Sequence, residues 1–283
     1  MKPAWNITLV FVLLSAVAGA ATSEQAARDG AAAQIRQGCC SPNGGEIERL
    51  HHVADRLYAQ FKPREAAAEL RKILRLDHHN FQALVKLARA HIDIGDSIPE
   101  DGADSRERKI KEYQQAEDYA RRALKVDPGS TWGYFWVAAA VGNIAMVSPT
   151  ARQIELAGEI RDHVEKALSL DPENGFAHHV YGVWHRKMAE IGVASRAIAP
   201  LIYGRSLPAG SLDKSIEYLK RAIAFNPTVI VSRLELARSL IAREEWEAAR
   251  RWLRSALELP VQFSDDAKHK RAAERLLRDI QDR

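Results

Sequence analysis

The chain has 283 residues, 46% of them apolar and 28% charged, with a formal net charge of +4 and two cysteines. A basic excess this mild and scattered argues against a nucleic-acid partner. The cysteines are one adjacent pair, and a structural zinc site takes two such pairs.

The chain opens on an export pattern. Lys2 supplies a short positive region, Ile7–Val17 is an apolar run too short to span a bilayer, and Ala18-Gly19-Ala20 is a small-x-small cleavage site. Residues 1–20 read as a cleavable signal peptide, with an uncleaved anchor as the competing reading. The protein is expected to be periplasmic or secreted. Residues 21–44, rich in Ala, Gln and Arg, read as a flexible tether carrying Cys39 and Cys40. That pair is expected to be exposed and oxidised, either vicinally or between chains. A catalytic thiol would need a base held rigidly beside it, which a tether does not provide. Asn43-Gly44-Gly45-Glu46 is placed to cap the first helix.

From there the chain repeats itself five times. Small residues at Ala54, Ala88, Ala138, Gly182 and Ala237 each begin a copy, where one helix must approach another. Partners on the second helix are Ile73, Ala123, Ala167, Ala222 and Ala256. The first four of these partners each lie five residues before a turn position: His78, Pro128, Pro172 and Pro227. Proline stops a helix because it lacks an amide donor and clashes with the preceding turn. The pattern resembles the tetratricopeptide repeat, whose unit is about 34 residues. Turn positions are 50, 44 and 55 residues apart, so the middle copies carry extra residues between their two helices. Ser97–Lys109 is charged and turn-rich, and suits disorder. Gly192–Gly210 is apolar around Pro200 and Pro208, and is expected to fold onto the stack. Residues 264–283 read as a final helix, capped by Ser264, whose Lys268, Lys270 and Arg271 give a polar outer surface. The expected fold is all-α: a right-handed α-solenoid of about five helix pairs over residues 45–263, closed by that C-terminal capping helix.

Candidate chemistry is sparse. The paired histidines His51-His52, His78-His79 and His178-His179 point about 100° apart on a helix and do not chelate one ion. His178 and His185 share a face with Tyr181 and Gly182, the stripe that packs on the next helix, so packed and hydrogen-bonded imidazoles are expected. No HExxH, phosphate loop or GxSxG pattern occurs. The expectation is a non-enzyme without cofactor or metal.

Tetratricopeptide proteins meet ligands on the concave surface lined by their first helices. The corresponding stripe here carries Arg89, Trp132, Phe135, Phe176, His179, Arg186 and Arg238. It reads as an apolar floor with aromatics at its centre and spaced arginines. Such a face should bind something or be covered. The expected ligand is apolar and anionic, since arginine pairs bidentately with carboxylate or phosphate. A partner peptide is the first reading; an anionic lipid, with peripheral membrane contact, is the alternative. Two further possibilities are that the apolar insertion at 194–207 fills the groove, or that the stripe is displaced by one residue and these are core positions. Phe135→Ala and Arg186→Ala are expected to weaken binding without lowering stability much.

The fourth copy is more specific. His179-Val-Tyr-Gly182-Val-Trp184, then Ala189-Glu190, Arg196-Ala-Ile198-Ala199 and Leu207-Pro208, resembles the regulator of microtubule dynamics family. Ala116-Glu117, Tyr119-Ala120 and Val126-Asp127-Pro128 in the preceding copy agree. The resemblance spans roughly Glu112–Leu277. It implies an all-α repeat domain without enzymatic activity and association with microtubules or membrane contacts. An exported chain would keep the fold and the partner- or lipid-binding role while parting from the cytoskeletal one.

Overall fold

The computed structural model describes residues 43–99, 103–192, 196, 199–200 and 207–283. The signal peptide and nearly all of the expected tether, Cys39 and Cys40 included, lie outside the described residues. Met1–Glu48 forms one unit and Arg49–Arg283 another. In the first, the Asn43 carbonyl accepts from the Ile47 amide at 3.0 Å where the opening helix begins.

The described residues form eleven helices and no strand. In chain order they are α1 (Gly44–Ala59), α2 (Pro63–Leu76), α3 (Phe81–Asp96), α4 (Ala103–Val126), α5 (Thr131–Val147) and α6 (Thr150–Leu170). Then come α7 (Gly175–Ala189), α8 (Leu212–Phe225), α9 (Ile230–Ala242), α10 (Trp246–Glu258) and α11 (Asp266–Asp279). They alternate as first and second helices of five pairs, with α11 left over: the α-solenoid the periodicity implies. Each small residue named for close approach is buried, Ala54 and Ala237 among the first helices and Ala123, Ala167, Ala222 and Ala256 among the second.

One turn design joins successive pairs. The chain leaves the helix at Asp77, Asp127, Asp171 and Asn226, whose amides donate to Ile73, Ala123, Ala167 and Ala222 at 2.8–2.9 Å. The three aspartates then accept from the amides of His79, Gly129 and Glu173. Asn80, Ser130 and Asn174 cap the next helices, accepting from Ala83, Gly133 and Ala177 at 3.0, 3.2 and 2.9 Å. One orphaned donor at each of these three helix starts is thereby satisfied, whereas α9, which follows Val229, starts without a side-chain cap.

The extra residues of the middle copies differ from expectation. Ala103–Lys109 is helical, not disordered: α4 starts early and runs 24 residues. Ser105 and Lys109 are buried, which gives this added stretch a packed face. In the third copy α5 and α6 absorb the surplus by lengthening to 17 and 21 residues. Most of 193–206 lies outside the described residues. Ala199 is buried, and Arg196 donates to the Met188 and Pro208 carbonyls. Gly210 sits so close to the α7 backbone at His185 and Ala189 that a Cβ would collide with it.

First helices touch in succession, α3 on α5, α5 on α7 and α7 on α9, while second helices approach one another far less. The first helices therefore form the inner wall. Ser264 does not cap the last helix. Asp265 occupies that position, and the buried Asp266 carboxylate accepts from the Gln262 and Phe263 amides at 2.7 and 2.8 Å. That short turn lies across the inner wall.

Candidate functional site

The seven residues singled out for the groove all lie on first helices, and the structure divides them into three groups. Trp132, Phe135 and Phe176 gather where α5 and α7 begin, with ring centroids 5.8–6.2 Å apart. Phe135 is buried beneath the other two, which stay partly open to solvent. His179, Arg186 and Arg238 form a second group, with Arg186 buried and Arg238 partly open to solvent. The two amino groups of Arg186 reach Glu190, at 2.8 Å, and Glu235; Arg238 also donates to Glu235, and His179 meets Ser232 at 3.1 Å. The inner wall is thus not the apolar floor expected. Glu235 completes a charged knot that holds α7 to α9, so the guanidinium of Arg186 is engaged by this chain's own carboxylates. Glu235 adjoins Leu236 and Ala237 of the packing stripe, where sequence periodicity gives a carboxylate no reason to be buried. Burial pushes the Glu235 pKa up, but the two arginines outweigh it and the net shift is downward.

The C-terminal turn continues this polar interior. Asp265 bonds His269 at 2.7 Å, and its charge is felt by His179 on α7 and by Asp93 and Asp96 on α3. Burial, with Asp265 and Asp96 adding repulsion, raises Asp93 to about 8. Burial likewise raises Asp96, which accepts from the Tyr113 hydroxyl at 2.7 Å. Burial holds His179 near 4, so its ring is neutral at neutral pH. Whether the insertion fills the groove lies outside the described residues; the C-terminal turn, for its part, reaches Arg89, Asp93 and Asp96 of α3 and His179 of α7. Nothing in the spacing of Asp265 and Asp266 signals that they face inward.

Arg89 stands apart from both groups. Its guanidinium lies over the Tyr58 ring at 4.2 Å and within 5.8 Å of the Phe263 ring. These residues line a cavity of about 280 Å³ between α1, α2, α3 and the C-terminal turn, together with Phe61, Lys86 and Asp93.

The histidine stripe of α7 packs on α8. His178 Nε2 lies 2.7 Å from the Pro172 carbonyl, and the ring stacks on Tyr218 and Phe225. His185 stacks on Tyr218 with planes 5° apart, yet neither ring nitrogen has a hydrogen-bond partner, and burial holds its pKa near 4. Among the described residues no group of three or more His, Cys, Asp or Glu side chains is arranged to hold a metal. No described helix is long and apolar enough to cross a membrane.

The geometry of the fourth copy carries the family motif. Gly182 lies against α8, where a Cβ would stand 2.6 Å from Leu219 and 3.1 Å from the Ser215 carbonyl. Trp184 is buried and donates to the Ala157 carbonyl at 2.8 Å. The family model for regulator of microtubule dynamics protein 1-3 matches residues 50–281. The chain belongs to the regulator of microtubule dynamics family. Like other members, it is similar to regulator of microtubule dynamics protein 1 of Bos taurus, 27% identical over 84% of this chain and 73% of that one. It is also similar to the Caenorhabditis elegans protein of the same name, 29% identical over 58% of this chain and 72% of that one. Among solved structures, a thermophilic tetratricopeptide protein of Thermus thermophilus matches with a TM-score of 0.58 at 18% identity, covering 82% of this chain and 99% of that one. That likeness supports the tetratricopeptide architecture of this family member, and extends no further than the fold.

Proposed function

We propose that this family member is a non-catalytic binding scaffold whose inner wall takes an apolar, anionic segment of a partner polypeptide. The observation that carries this reading is the division of the inner wall. Arg186 and Arg238 are held by Glu235 and His179 meets Ser232, while the Arg89 guanidinium has no carboxylate partner among the described residues and the rings of Trp132 and Phe176 stay partly open. Large aromatic side chains and unpaired arginine are the residue types that dominate binding surfaces. Phe135 supports the two outer rings from below.

The relatives are named as regulators of microtubule dynamics. An exported chain would meet a different partner with the same wall. Export is tested by sequencing the N-terminus of the mature protein, expected to begin at Ala21 after cleavage behind Ala20. An unprocessed chain that sediments with microtubules would overturn that placement.

Selection from a displayed peptide library, followed by titration of the winning peptide, tests the binding surface. Trp132→Ala and Phe176→Ala are expected to weaken binding about tenfold or more, while Arg122→Ala on a second helix leaves it unchanged. Equal affinities across all three variants would remove the inner wall as the site. Lipid co-purifying in native mass spectrometry, lost in the same two variants, would assign the wall to an acyl chain instead.

A further inference from the structure

We propose that the cavity between α1, α2, α3 and the C-terminal turn is a receptor for a single apolar carboxylate. The guanidinium of Arg89 would take the carboxylate, and the rings of Tyr58, Phe61 and Phe263 its hydrocarbon. This deepens the scaffold reading and rests on it.

Three observations converge. The first is an unspent cation. Among the described residues, no carboxylate or carbonyl accepts from the Arg89 guanidinium; the nearby Asp55 gives its carboxylate to Lys86 at 2.6 Å. Rings approach the guanidinium 4.2 Å away at Tyr58 and 5.8 Å away at Phe263. Aromatic contact holds the plane of the group but leaves its edge N–H donors unused, and a carboxylate meets that edge with two parallel hydrogen bonds.

The second observation is charge. Lys86 is neutralised by Asp55, and Asp93, facing the cavity, is protonated at neutral pH because burial raises it to about 8. Arg89 also feels the Asp55 charge, so the residues lining the cavity set two cations against one ionised carboxylate, a net charge of +1. A monoanion balances it, whereas a phosphate dianion would bring a buried charge without a partner.

The third is strain. Phe61 lines the cavity with 49% of its surface exposed and a backbone φ of 58°. A non-glycine residue in this left-handed region costs about 1–2 kcal/mol. The matching turn of the last pair carries Glu244 at φ 60°, a polar residue in water. At Phe61 a left-handed backbone position carries a large apolar ring half open to water, and contact with a ligand's hydrocarbon gives that placement a use.

Calorimetry with the intact protein tests the assignment, using 3-phenylpropanoate, its neutral amide and phenyl phosphate as probes. The carboxylate is expected to bind at least about tenfold more tightly than either of the others. Arg89→Gln should erase that preference, and Phe61→Gly, which relieves the backbone, should weaken the acid while leaving the melting temperature the same or higher. Melting curves of Arg89→Gln and Arg89→Lys exclude unfolding as the cause. The source is read from a peptide with a free C-terminal Phe against the same peptide amidated. Tighter binding of the peptide acid than of phenylpropanoate assigns the cavity to a chain end; the reverse assigns it to a free acid. An amide that binds as well as the acid, an unchanged Arg89→Gln, or no binding at millimolar acid would overturn the proposal. A library-selected peptide that still depends on Trp132 and Phe176 in that event would leave the scaffold reading intact.

Discussion

Arg186 shows how a correct position can carry the wrong role. Spacing puts it on the inner wall, where it is; only the fold reveals Glu235 opposite. Arg186→Ala would leave that carboxylate buried with half its pairing, a change that costs about 3–5 kcal/mol. Thermal melts should therefore show a large loss, against the mild effect expected from sequence. Arg186→Met combined with Glu235→Met should recover most of it, because the unpaired charge goes too. Asp93 gives a pH signature. Its folded pKa, about 8, lies above the unfolded value of 3.8, so its stabilisation is complete below pH 4 and is lost as pH rises through 8. Asp93→Asn should raise stability more at pH 8 than at pH 5 in denaturant titrations. The buried histidines run the other way. His51, His179 and His185, each held near 4 chiefly by burial, contribute stability present above about pH 6.5 and lost as pH falls toward 4. His185→Phe should flatten part of that acid loss, since its ring nitrogens have no hydrogen bonds to forfeit.

Helices and turns were the legible part of this chain, because the forces that set them are local. A proline or a polar cap ends a helix within one turn wherever it occurs, so Asp127-Pro128 and Asp171-Pro172 announce their turns in sequence. Small residues at helix contacts follow the same logic, and Gly182 is the sharpest case. Gly182→Ala would drive a methyl into the branch point of Leu219 and toward the Ser215 carbonyl, costing about 1–3 kcal/mol by overpacking despite alanine's better helix propensity. Calorimetric melting would register it. The short turns at Phe61 and Glu244 are built alike, with amides of Lys62 and Glu245 donating back to Leu57 and Leu240 at 3.0 and 2.9 Å. Glu244→Gly should release left-handed strain worth about 1–2 kcal/mol and raise the melting temperature by a few degrees. Element lengths were less legible than element stops. Nothing between Ser97 and Lys109 marks where α4 begins, since a charged stretch is as compatible with a solvated helix as with a loop.

In the unit from Arg49 to Arg283, the decisive contact joins residues far apart in sequence, which is why periodicity was silent about it. Phe263 meets Arg89 across 174 positions, and Asp265 acts on His179 as well as on Asp93 and Asp96. The last helix therefore does more than shield an end. Its leading turn adds Asp265 to the polar interior beside α3 and α7 and roofs the cavity beside Tyr58. Photo-crosslinking tests this closure directly: p-benzoylphenylalanine is placed at position 263, and captured peptides are identified by mass spectrometry. Capture within a single chain of peptides containing Tyr58 or Arg89 is the expected result. Capture confined to residues 246–283, or appearing only between separate molecules, would contradict it.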